Sequence, residues 1–175
     1  MKKKANIIIG ILFLLVIIII TILLLNLKNN NKDNDTYSKV KISNYEFSLN
    51  DKYQYKYLEE KNYGILASDK FLSSYIYISN ETYSTLIKAT STYTNMGATE
   101  LDSSLEEVKF GVYPGFINVK KVHYYDNNKD YKLVIILIKI EEEKTLVFQY
   151  ESEIDEEENK IFEDIKNSLL EIKAI

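Results

Sequence analysis

The chain has 175 residues and a net charge of −4, and all 22 basic residues are lysine. The absence of cysteine excludes disulfides, thiol catalysis and thiolate metal sites. An acidic balance without arginine excludes a general nucleic-acid binder, which needs a basic face, and the dominance of Lys, Ile, Asn and Tyr fits an AT-rich, low-GC bacterial genome.

The first element is the uncharged run at 7–25, IIIGILFLLVIIIITILLL. Its nineteen residues cover about 29 Å at helical rise, close to a bilayer core of roughly 30 Å. Seventeen are Ile, Leu, Val or Phe, so insertion is favourable by about 5 to 10 kcal/mol. The run is longer than a signal-peptide core, and no A-x-A-like pair follows it. We expect a spanning anchor at 7–27 after a cytoplasmic tail at 1–6. Lys2, Lys3 and Lys4 hold that tail inside and place the rest outside, a single-pass topology. The stretch 28–35, KNNNKDND, has no apolar residue and begins a flexible linker assigned to 28–40.

The remainder, 41–175, is one domain. With Lys2, Lys3, Lys4, Lys28, Lys32, Asp33 and Asp35 set aside, the 17 lysines left, Lys39 of the linker among them, face 24 acids, a net −7. Such a domain does not hug an anionic bilayer.

From Tyr45 onward, YEFSLN, YQYKYLEE, YGILAS and SSYIYIS read as three or four short antiparallel strands. Tyr53, Tyr55 and Tyr57 fall on one strand face, and Tyr75 and Tyr77 on another. At 80–97 the period changes to 3.6: Tyr83, Leu86, Ile87 and Thr90 form a helical stripe. Asn80 or Thr82 can cap its start, and Gly97 suits the left-handed residue after its end. The segment 97–104 reads as a loop, with a short helical turn at 105–108. Three long strands follow, at 116–125, 131–141 and 144–151. LVIILI within the second is apolar on both faces, the mark of a central strand covered on both sides.

Ile154, Ile161, Phe162, Ile165, Leu169 and Ile172 form the stripe of a closing helix. Ser152 or Asp155 can cap it, with acids at its positive end and Lys173 at its negative end. The expected class is α+β: an antiparallel sheet packed by two main helices in an α/β/α-like sandwich, preceded by one transmembrane helix.

This order resembles the PsbP-like superfamily. That group includes plant photosystem II extrinsic proteins, a Ran-binding nuclear import factor and bacterial surface lipoproteins. The resemblance rests on four features. These are the strand at 45–49, a Tyr113-Pro114-Gly115 turn before Phe116, the three-strand meander, and the Phe162-x-x-Ile165-x-x-Ser168-Leu169 helix. It covers roughly Lys41 to Lys173 and implies a non-enzymatic binding or accessory scaffold. It brings no ligand residue with it. The missing lipobox departs from the lipoprotein members, and the spanning helix takes over their anchoring role.

Candidate chemistry is sparse. His123 is the single histidine and lacks the partners of a zinc site or a nucleophile. Asp126, Asn128 and Asp130 have the opening spacing of a calcium loop. Tyr131 stands where that loop needs Gly, and Leu137 where it needs Glu, so the residues suit a turn better. The acids around 151–158 serve the helix start and solubility.

The fifteen tyrosines are the most suggestive feature, because tyrosine favours interfaces. Tyr53, Tyr55, Tyr57, Tyr113, Tyr124 and Tyr125 are the candidate interaction surface. No catalytic, cofactor or metal residue is assigned. The expectation is a membrane-anchored extracytoplasmic binding or accessory domain. It contacts lipid through 7–27, meets a protein or wall polymer, and binds no nucleic acid. The alternatives are a wall hydrolase using paired carboxylates and a structural subunit of a membrane complex.

Overall fold

In the computed structural model, the apolar run at 133–138 organises the domain. Leu133, Ile135 and Leu137 pack in one hydrophobic cluster, and Val134, Ile136 and Ile138 in another. Their strand, β8 (Lys129–Glu141), is therefore covered on both faces, as its lack of polar alternation demands. The structure describes residues 36–58, 63–92, 97–155 and 157–175. The expected anchor and the first part of the linker lie outside these residues. Among the described residues no helix is long and apolar enough to cross a membrane.

Seven strands form one antiparallel sheet. Their order is β3 (Gln54–Leu58), β4 (Tyr63–Ala67), β5 (Phe71–Ser79), β9 (Lys144–Glu153), β8, β7 (Tyr113–Tyr124) and β6 (Ala98–Phe110). A smaller sheet places β2 (Tyr45–Asn50) between β1 (Tyr37–Ile42) and β10 (Lys173–Ala174). Helix α1 (Tyr83–Thr90) sets Leu86 against one face of the large sheet. Helix α2 (Glu158–Leu170) and the small sheet cover the other face. The α+β class with a helix on each face matches the expectation.

Packing rather than capping holds α2. Its N-cap Glu157 makes no side-chain cap bond, whereas Ile161, Ile165 and Leu169 are buried. Each such side chain is worth about 1.5 to 3 kcal/mol in apolar area removed from water. Thr82 caps α1, its hydroxyl accepting from the Thr85 amide at 3.4 Å.

Several boundaries differ from the sequence reading. β1 takes in 37–40, assigned above to the linker, because Val40 enters the core from a strand paired with β2. α1 ends at Thr90 with Ser91 as its C-cap, so Gly97 does not close it. Instead the Gly97 carbonyl accepts from the Tyr125 amide at 3.0 Å.

The loop and helical turn expected at 97–108 are the long strand β6. Among the described residues it pairs only with β7, and its middle is mostly polar and exposed, so no alternation betrays it. The hairpin turn before β7 is Gly111-Val112, with Gly111 at φ 59°. Glycine with positive φ at the first central position is what a type II′ hairpin requires. Tyr113, Pro114 and Gly115 are accordingly strand residues.

Ser152 lies inside β9 and cannot cap α2; Asp155 does so in part, accepting from the Glu157 amide at 2.9 Å. Ile154 is exposed ahead of the helix. Lys173 sits in β10, where it approaches Glu46 at 3.7 Å instead of serving the end of α2.

Candidate functional site

α2 packs against β2 and β6. Between α2 and the large sheet a cavity of about 300 Å³ opens near the β6 edge. Ser104 and Glu106 of β6, Ile117 and Val119 of β7, and Lys132 of β8 form its sheet side. Asn159, Phe162 and Glu163 form its helix side. The size is at the lower end for ligand pockets.

Two lysines flank the Phe162 ring. The Lys132 ammonium lies 5.5 Å from the ring centre and that of Lys166 lies 5.8 Å away. Both distances suit a cation over an aromatic ring. Each lysine is also neutralised: Lys132 pairs with Glu158 and donates to Asn159 at 3.2 Å, while Lys166 meets Glu106 at 3.1 Å. These bonds tie α2 to β8 and to β6. Beneath the start of α2, Tyr150 Oη, Ser152 Oγ and Glu158 Oε1 are buried without a hydrogen-bond partner. Burial first, and then the Glu158 charge, push the Tyr150 hydroxyl above its usual range.

β6 forms the outer rim. Among the described residues no strand pairs with its far edge. At about 3.3 Å per residue its thirteen residues present roughly 43 Å of backbone. Leu101 and Leu105 are more than half exposed on it. Ser104 and Glu106 point to the α2 side, where Val108 and Phe110 also pack. Alternation then turns Leu105 and Glu107 to the α1 side.

The α1 face holds a second polar constellation. Lys120 is 1% exposed, donates to Glu100 at 2.7 Å and reaches the Ser91 carbonyl at the C-terminus of α1. The neighbouring Asn118 amide donates to the Thr90 carbonyl at 2.7 Å. A cation against the negative end of a helix is favourable, so this lysine anchors α1. Its pattern in the sequence, a lysine inside a strand, gave no sign of burial. Two strands away on the same face, Glu151 is buried, and that burial holds its carboxyl above the ordinary value.

The candidate tyrosines separate. Tyr53 is in the core, stacked on Phe71 at 5.6 Å. Tyr55 is half-buried over Gly64, where an added Cβ would stand 2.5 Å from its ring, and it donates to the Lys41 carbonyl. Tyr57 packs beside it. Tyr113 meets Tyr45 edge-on at 6.0 Å. Tyr124 meets Tyr131 edge-on at 5.2 Å. Tyr125 is mostly exposed. Tyr113 and Tyr124 stand at opposite ends of β7, roughly 37 Å apart, so these residues do not make one patch.

His123 donates from its Nδ1–H to the Asp130 carboxylate at 2.8 Å, and Asp130 also pairs with Lys121 at 2.9 Å. Lys121 and then His123 hold the Asp130 carboxyl below its usual value. Asn128 occupies the turn with φ 55°. Among the described residues no group of three or more His, Asp or Glu could hold a metal ion.

No protein-family model matches the chain. No curated protein matches it either. The fold is similar to that of the Saccharomyces cerevisiae Ran-binding protein Mog1p. The TM-score is 0.50 at 8% identity, covering 81% of this chain and 96% of that one. LpqN, involved in cell envelope biogenesis of Mycobacterium tuberculosis, aligns at TM-score 0.49 and 11% identity, over 82% and 86% of the two chains. At such identity the likeness to Mog1p shows a shared fold.

Proposed function

We propose that this protein is a single-pass membrane-anchored domain that faces the extracytoplasmic side and binds another protein, without catalysis, on a PsbP-like scaffold. The groove between α2 and the β6 edge is the observation that carries this reading. It lies beside a long strand edge that also exposes Leu101 and, on its α1 side, Leu105, a surface suited to a polypeptide more than to a compact metabolite. The uncharged run at 7–25 and the tri-lysine tail supply the anchor and its orientation. The fold likeness to Mog1p, a Ran-binding protein, adds a precedent for protein binding on this architecture.

The test is photo-crosslinking in intact cells. A photoreactive residue at Leu105 should yield a discrete protein adduct, and one at Leu72 on β5 should not. Absence of any adduct from Leu105 and from neighbouring Leu101 would remove the reading.

A further inference from the structure

We infer that β6 receives an extended basic segment of a partner protein as an additional strand, with alternate side chains entering the groove beside α2. This deepens the protein-binding reading above and rests on it. Three observations support it.

The first is geometric. β6 ends the large sheet, and among the described residues its outer edge meets no strand; the register shifts between Glu100 and Asp102 and the Ser103 amide donates to Asp102 Oδ1 at 2.8 Å, so the regular part of the edge is 104–110. Such an edge is a template for strand addition. Strand addition takes affinity from main-chain hydrogen bonds and specificity from pockets for alternate side chains. The cavity lined by Ser104, Glu106 and Phe162 lies on the side toward which every second residue of an added strand would point.

The second is charge. β6 carries Glu100, Asp102, Glu106 and Glu107 against Lys109 alone. Glu100 and Glu106 already pair with Lys120 and Lys166, whereas Asp102 and Glu107 are exposed. Asp102 lies on the groove face and Glu107 on the α1 face, so an added strand with alternate lysines gains cross-strand pairs on whichever face they take, whereas one with acids meets like charges.

The third disfavours a second copy of this chain as the occupant in the registers that use most of the strand. Antiparallel pairing of β6 with itself, centred on Ser103, would oppose Glu100 to Glu106. Centred on Ser104, it would oppose Asp102 to Glu106. Like charges directly opposite are destabilising, so the acids that admit a basic partner oppose self-pairing in these central registers.

The test uses the full chain in detergent micelles and a fluorescent peptide of about ten alternating lysines and valines. Binding is followed by anisotropy at moderate salt. Two further peptides carry N-methyl groups on every lysine or on every valine, which blocks one edge of the strand in each case. One of the two should bind more than about tenfold more weakly than the parent while the other keeps its affinity. The variant Asp102→Lys/Glu107→Lys should also lose about tenfold or more, and gain binding to a glutamate–valine peptide. Its thermal midpoint is measured alongside to confirm folding. The proposal is overturned if the lysine–valine peptide does not bind, if both methylated forms bind equally, or if the charge variant binds unchanged. An in-cell adduct from Leu105 together with any of those results would keep the protein-binding reading and remove strand addition.

Discussion

Lys132 of β8 holds the buried carboxylate of Glu158 in the first turn of α2, pinning that end of the helix to the sheet. Glu158 is 3% exposed, so its charge has little access to water. Removing one partner of such a pair leaves an uncompensated buried charge. Lys132→Met is therefore expected to cost about 3 to 5 kcal/mol. Lys132→Met with Glu158→Met should recover most of it, because the isolated charge disappears. Urea unfolding midpoints of the two variants read the difference. Equal losses would show that the pair does not hold the helix.

Tyr150→Phe is expected to be neutral or mildly stabilising. The hydroxyl is buried without a partner, and an unsatisfied polar group costs about 1 to 3 kcal/mol. The ring itself packs against Phe71 and Phe148 and remains in the phenylalanine variant. A loss above about 1 kcal/mol on denaturant titration would mean that the hydroxyl is bonded in solution.

Gly115→Ala should destabilise the domain by about 1 to 3 kcal/mol through overpacking. An added Cβ would lie 2.3 Å from the Phe110 ring and 3.2 Å from the Leu137 carbonyl oxygen. Phe110 is fully buried and has no room to withdraw. Thermal unfolding checks this, and an unchanged midpoint would show that the ring moves freely.

Glu151 gives the stability a specific pH dependence. Desolvation raises its folded-state pKa above the unfolded value, so the folded state prefers the protonated carboxyl. Its favourable contribution is complete below the ordinary value of about 4.3 and is lost as pH rises through the raised value. Glu151→Gln should therefore stabilise the protein more at pH 7 than at pH 4. Unfolding curves at the two pH values decide it; an equal effect at both would contradict the burial argument.

Where burial imposes a period, the sequence was legible. β8 shows itself by apolar residues on both faces, and α2 by Ile161, Ile165 and Leu169 at helical spacing. β6 does not, because the exposed middle of this edge strand needs no alternation, and its Ser and Glu residues read as a loop. β1 hid for a related reason: its first three residues are exposed, and pairing with β2 alone defines it.

The groove was illegible for a different reason. Its ties, Lys132 with Glu158 and Lys166 with Glu106, join residues 26 and 60 positions apart. Local pattern holds no information about such pairs. Alternation puts Tyr53, Tyr55 and Tyr57 on one side without saying that this side packs on the core.

The most direct measurement of the account is the side of the membrane on which the domain lies. The chain has no cysteine, so a single introduced one reports cleanly. Val112, 85% exposed in the β6–β7 turn, accepts such a probe. Val112→Cys should react with a membrane-impermeant maleimide in intact cells, and Lys3→Cys only after lysis. Protection of Val112→Cys in intact cells, with labelling of Lys3→Cys, would contradict an extracytoplasmic binding domain and place the groove inside the cell.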